Sequence, residues 1–70
     1  MTLAKFEDGL AISFINPARV AFISEWVWPD GCGAKAGERY TRIYFSAAED
    51  DYTFVDMPIL HVAAILDHYS

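Results

Sequence analysis

Residues 20–45, VAFISEWVWPDGCGAKAGERYTRIYF, decide the fold, because they read as two strands joined by a glycine-rich loop. Side chains of a strand alternate between its two faces, so a strand with one solvated face should alternate apolar and polar residues. Here both faces carry apolar side chains. One is aliphatic with phenylalanine, and the other is rich in the residue types that anchor binding interfaces: Phe22, Trp26, Trp28, Tyr40, Arg42 and Tyr44. We therefore predict that the first face is core and the second binds something.

The sequence on either side of this stretch predicts further strands separated by turn residues. Asp8-Gly9 is a typical hairpin pair, and Asn16-Pro17 breaks the chain because proline cannot donate to a strand ladder. The acidic residues 49–51 form another turn. The predicted strands cover residues 3–6, 10–15, 20–28, 40–47 and 52–57.

The C-terminal segment changes to a helical period. Asp56 or Met57 is expected to cap a helix, and Pro58 fits its first turn, where a missing N–H costs little. The apolar residues then recur at helical spacing on one face: Ile59, Val62, Ala63, Leu66 and Tyr69. Residues 1–70 thus predict a single α+β domain, a small twisted antiparallel sheet of four to five strands with one C-terminal helix. The helix should bury Ile59, Val62 and Leu66 on the aliphatic face of the sheet.

Size and composition narrow the function classes. A chain of 70 residues with 54% hydrophobic residues cannot hide all its apolar surface alone, which favours a homo-oligomer or an obligate partner. The net charge of −5 argues against direct nucleic-acid binding, which needs a basic surface. No segment has the length of a membrane span, and no signal-peptide pattern is present. With one cysteine, an internal disulfide is impossible, and a cytoplasmic protein is expected.

The order of these segments resembles a known family. A short strand, an Asp8-Gly9 turn, a strand, Ile15-Asn16-Pro17-Ala18-Arg19-Val20, three strands and a helix are similar to small FlbD-type flagellar proteins. They also resemble phage-borne and bacterial families with an Asn-Pro between the second and third strands. The shared residues belong to turns and core, so the resemblance implies a fold and says little about activity.

Three groups of residues are candidate sites. Arg42, framed by aromatic side chains, could hold an anionic aromatic ligand or an acidic group of a partner, or could simply pack within an interface. Lys35 and Arg39 in the glycine loop could bind an anion, although a strand follows the loop, which excludes a P-loop. The acidic turn could meet a basic partner: Glu49, Asp50 and Asp51.

Catalytic and metal-binding chemistry is not expected. His61 and His68 are seven residues apart, about 10.5 Å along a helix, too far to share one metal ion. We find no nucleophile with its base and no cofactor fingerprint, so an enzyme is the least favoured class.

The sequence leaves three functions open. The first is a homo-oligomeric inhibitor or accessory protein of phage or mobile-element type that acts on a protein partner. The second is a sponge that holds a nucleotide-like aromatic anion between rings, with Arg42 on its phosphates. The third is an FlbD-like flagellar accessory protein.

Overall fold

The computed structural model describes residues 2–69, and for Cys32 it describes the backbone alone. Within that range the chain forms five strands and one helix, in the order β1 (Ala4–Glu7), β2 (Ile12–Ile15), β3 (Phe22–Val27), β4 (Arg39–Tyr44), β5 (Tyr52–Val55) and α1 (Ile59–Tyr69). Short 3-10 turns lie at Pro17–Arg19 and Asp30–Lys35. The predicted α+β class is confirmed.

The strands form two antiparallel sheets rather than one. β1 and β2 are a hairpin by themselves, and the other three strands form a second sheet in the order β3-β4-β5. The chain leaves the hairpin at Asn16, whose side-chain oxygen accepts a hydrogen bond from the Ala18 N–H at 3.0 Å and starts the 3-10 turn. Pro17 follows and has no N–H to continue a ladder. This local turn separates the two sheets.

The hydrophobic core lies between the hairpin, the helix and one face of the three-stranded sheet. The hairpin contributes Ala4, Phe6 and Ile15, and the sheet contributes Ile43 and Val55. The helix adds Val62, which is fully buried, with Ile65, Leu66 and Tyr69 packed against this cluster. The aliphatic face predicted for the sheet is therefore the one that the helix covers.

The first turn of the helix forms at Pro58, as predicted. Pro58 supplies the first carbonyl, which accepts hydrogen bonds from the N–H groups of His61 at 3.0 Å and Val62 at 3.1 Å. The carboxylate of Asp56, one of the two predicted caps, contacts Lys35 and the indole of Trp28. The Met57 carbonyl accepts a hydrogen bond from the hydroxyl of Thr41, a fully buried side chain of β4, at 2.8 Å. These contacts connect the start of the helix to the sheet.

The segment between β3 and β4 is ordered by backbone geometry. The Trp28 N–H donates to the Glu38 carbonyl at 2.8 Å, and the Gly37 N–H donates to the Trp28 carbonyl at 3.1 Å. Gly33 and Gly37 have φ values of 61° and 84°, in the left-handed region that glycine adopts at little cost. The loop thus closes the β3–β4 hairpin.

Candidate functional site

The outward face of the three-stranded sheet gathers aromatic side chains around one arginine. The strand register sets Phe22 opposite Tyr44 and Trp26 opposite Tyr40, and it sets Arg42 opposite Ser24 on one side and Phe54 on the other. All of these positions share the face that the helix does not cover, because strand side chains alternate. We call this surface the aromatic–arginine face. It comprises Phe22, Trp26, Trp28, Tyr40, Arg42, Tyr44, Tyr52 and Phe54.

The guanidinium of Arg42 is held by rings and hydroxyl groups of its own chain. Its central carbon lies 3.7 Å from the ring centroid of Trp26 and 4.5 Å from that of Tyr52. Its N–H groups donate to the Tyr44 hydroxyl at 3.1 Å and to the Tyr40 hydroxyl at 3.3 Å. The hydrogen bond to Tyr44 is the main cause that raises the pKa of Arg42, against the opposing effect of partial burial. The arginine is therefore a cation fixed within the face.

Two groups of stacked rings lie on this face. The rings of Phe22 and Tyr44 are nearly parallel, with centroids 4.5 Å apart and an angle of 9° between planes. Tyr44 also lies 5.2 Å from Tyr52. Aromatic pairs in such contact contribute about 0.5–1.5 kcal/mol beyond the area that they bury.

The second ring group confirms that Trp28 belongs to this face although it follows β3. Trp28 lies 4.4 Å from Tyr40, and Phe54 meets both rings edge-on at 5.7 Å. Tyr52 and Phe54 were not among the residues predicted for this face. Their alternate positions on β5 were a signal, but only the register of β4 and β5 shows that they adjoin Arg42.

An open groove of about 680 Å³ lies on this face and reaches the turn between β4 and β5. Arg42 lines it together with aromatic rings on one side and acidic residues on the other: Phe22, Trp26, Tyr44, Tyr52, Glu49 and Asp50. The structure therefore brings together two of the predicted sites, the aromatic face and the acidic turn. Asp51 does not line the groove, and its backbone pairs with Phe45 and Ala48 instead.

The two cations predicted for the glycine loop, Lys35 and Arg39, are each paired with a carboxylate of the same chain, and Arg39 is the first residue of β4. Lys35 contacts Asp56, and that hydrogen bond raises the pKa of Lys35. Arg39 is paired with Glu25 at 2.9 Å. An anion at this loop would have to compete with these carboxylates, so the anion-binding role of Lys35 and Arg39 stays a prediction.

Asp8 is a structural residue that the sequence analysis treated only as part of a turn. One of its carboxylate oxygens accepts hydrogen bonds from the N–H groups of Leu10 at 2.9 Å and Ala11 at 3.1 Å. The other accepts from the Asp56 N–H at 2.8 Å. Burial raises the pKa of Asp8, but the backbone donors, that of Asp56 first, outweigh it and lower the pKa below its ordinary value. Asp8 thus ties the hairpin to the end of β5.

Residues 2–69 contain neither a cluster of metal-ligating side chains nor a helix that could span a membrane. No group of three histidine, cysteine, aspartate or glutamate residues in that part of the chain could hold a metal ion, with the side chain of Cys32 outside the described residues. The helix of the described chain is too short to cross a bilayer.

Comparison with known proteins gives no family for this chain. Models of protein families, curated proteins and solved structures were compared with it, and none of them matches. The resemblance to FlbD-type proteins therefore stays a prediction, and the function must be argued from the site itself.

Proposed function

We propose that this chain is a small non-enzymatic binding protein that acts on a protein partner through the aromatic–arginine face. The observation that carries the proposal is the exposure of large rings on a sheet face that no other described element covers. Phe22, Trp26 and Phe54 are exposed by 46, 43 and 45%. Contiguous exposed apolar surface with Trp, Tyr and Arg is typical of protein-binding sites.

The order within this face supports a role in binding. Rings that are already stacked, and an arginine that is already hydrogen-bonded, lose little conformational freedom when a partner docks. Immobilising a flexible side chain at an interface costs about 0.5–1.5 kcal/mol, so a preordered face binds at a smaller cost. We include in the proposal a cytoplasmic homo-oligomer that acts as an inhibitor or accessory protein, as composition and charge favour.

Native mass spectrometry of gently purified protein tests this function. We expect an oligomer, or a complex with a second protein, that Trp26→Ala weakens. Phe14→Ala is the matched control, because Phe14 is an aromatic residue of the β1–β2 hairpin with 61% exposure. A monomer that binds nothing, or equal effects of the two substitutions, would contradict the proposal.

A second candidate is a sponge for a small aromatic anion, and the groove volume favours it. Small-molecule sites measure about 300–1,000 Å³, and the groove is within that range. Three hydrogen bonds engage Arg42 with tyrosine hydroxyl groups, and a guanidinium has five N–H donors, so donors remain for a phosphate. A sponge predicts extra mass in the same spectrum, and it predicts that Arg42→Ala removes this mass while the oligomer persists.

A further inference from the structure

The charges that line the groove indicate which chemistry it accepts. Arg42 contributes +1 and Glu49 and Asp50 contribute −1 each, so the lining has a net charge of −1. The whole chain carries −5, which adds to the negative potential around the groove. A partner with positive charge is therefore attracted to this site, and a phosphorylated ligand is repelled from its rim.

The guanidinium of Arg42 is engaged by side chains of its own chain. Rings of Trp26 and Tyr52 lie against it, and the tyrosine hydroxyl groups engage its edge. No carboxylate among residues 2–69 forms an ion pair with it. The arginine thus serves to hold the aromatic rings in place, and its charge is spread over π faces and hydroxyl oxygens.

Glu49 and Asp50 are the charged groups that the groove leaves for a partner. Both are exposed, and none of the ion pairs among the described residues includes either of them. Backbone hydrogen bonds of the turn hold them beside the groove. The Phe45 N–H donates to the Asp51 carbonyl at 3.0 Å, and the Asp51 N–H donates to the Ala48 carbonyl at 3.3 Å.

We infer that the groove binds a segment of a protein partner that presents lysine or arginine side chains. Long basic side chains combine an apolar stem with a charged end. The stems would pack on the exposed rings of Phe22 and Trp26, and the charged ends would reach Glu49 and Asp50. This inference rests on the proposed protein-binding function and specifies the chemistry of the partner at the same site.

The test uses three octapeptides that alternate alanine with arginine, glutamine or glutamate, titrated into the full chain and followed by backbone and indole N–H chemical shifts. The two tryptophans provide an internal control. The Trp26 indole N–H donates to the Ser24 hydroxyl at 2.9 Å within the groove, whereas the Trp28 indole N–H donates to Asp56 at 3.3 Å outside it. We expect the arginine peptide to shift the Trp26 signal and residues 45–52, and to leave the Trp28 signal unchanged.

A pair of matched variants separates the groove from the overall charge. Glu49→Gln with Asp50→Asn changes the net charge from −5 to −3, because two negative charges are removed. Asp30→Asn with Glu38→Gln makes the same change in the exposed loop outside the groove. We expect the first variant to weaken binding of the arginine peptide roughly three- to tenfold, and the second less than about twofold.

Each of the other possible results would contradict the inference for a different reason. Equal weakening in both variants would show that only net charge attracts the peptide. Equal binding of the arginine and glutamine peptides in the groove would show that the partner needs no basic side chains. The proposed protein-binding function would not be affected by this result. Stronger binding of the glutamate peptide would show that the groove prefers an acidic partner, which contradicts the inference. If no peptide shifts the Trp26 signal, the inference is wrong, and the Trp26→Ala comparison by native mass spectrometry still decides the proposed function.

Discussion

Replacing Arg42 by methionine tests whether this side chain holds the aromatic–arginine face together. Methionine keeps a long apolar stem and removes the cation with its hydrogen bonds. The contact with Trp26 at 3.7 Å and the one with Tyr52 at 4.5 Å are lost. So are the bonds to the Tyr44 and Tyr40 hydroxyl groups at 3.1 and 3.3 Å.

The magnitude follows from these contacts. Because Arg42 is only partly buried, each of the two cation–π contacts contributes about 0.5–1 kcal/mol, and the hydrogen bond to each of the two hydroxyl groups contributes about 1 kcal/mol net. Ordering the arginine side chain and removing part of its hydration oppose these gains by about 2 kcal/mol. We expect Arg42→Met to lower the free energy of unfolding by about 1–2 kcal/mol, which is roughly 4–16 °C in Tm for a chain of this size.

Urea denaturation of both Arg42→Met and Arg39→Met measures the effect against a matched control. Arg39 lies on the same strand, but its side chain is 65% exposed and forms one ion pair with Glu25. Exposed pairs contribute about 0–1 kcal/mol. Equal destabilisation by the two substitutions would refute the reasoning, because the rings would then hold their positions without the arginine.

Three other substitutions probe the contacts that join the hairpin, the helix and the sheet. Because folding lowers the pKa of Asp8, its carboxylate stabilises the folded chain above the unfolded pKa, and this stabilisation is lost as pH falls below about 4. We therefore expect Asp8→Asn to make the free energy of unfolding less dependent on pH in the acid range, as measured by urea titration at several pH values. Thr41→Val removes the donor to the Met57 carbonyl and should cost about 1–3 kcal/mol in urea, whereas an unchanged midpoint would show that another donor replaces it. Val62→Ala empties a fully buried site and should cost about 1–3 kcal/mol by thermal unfolding, while Ala63→Gly on the exposed side should cost about 1 kcal/mol through helix propensity alone.

The faces of the strands could be predicted from sequence because alternation is a local property. Trp26, Tyr40 and Arg42 were assigned to one face by counting every second residue, and the strand register agrees. The helix was predicted for the same reason, from apolar residues at its own period. Of the predicted stripe, Val62, Leu66 and Tyr69 pack in or against the core, as does Ile65, which was not predicted. Ile59 is half-buried and Ala63 is exposed.

Features that depend on contacts between distant residues could not be predicted. Asp8 accepts a hydrogen bond from the Asp56 N–H, 48 positions away in the sequence, and no local pattern indicates this pair. The same holds for the ion pair of Lys35 with Asp56, in which the lysine predicted to bind an anion contacts a carboxylate of its own chain. The division into two sheets was also not predicted, although each pairing joins strands that are neighbours in sequence.

An apolar residue at position 42 would lose less hydration than an arginine, but it could not form hydrogen bonds with the tyrosine hydroxyl groups of the aromatic–arginine face. A face of rings alone would be free to collapse in several ways, whereas hydrogen bonds have direction and select one arrangement of Tyr40 and Tyr44. The groove lies on the same face and reaches Glu49 and Asp50. On the function proposed above, a partner meets a surface that is ordered in advance, and the exposed residues Glu49 and Asp50, rather than Arg42, would select its charge.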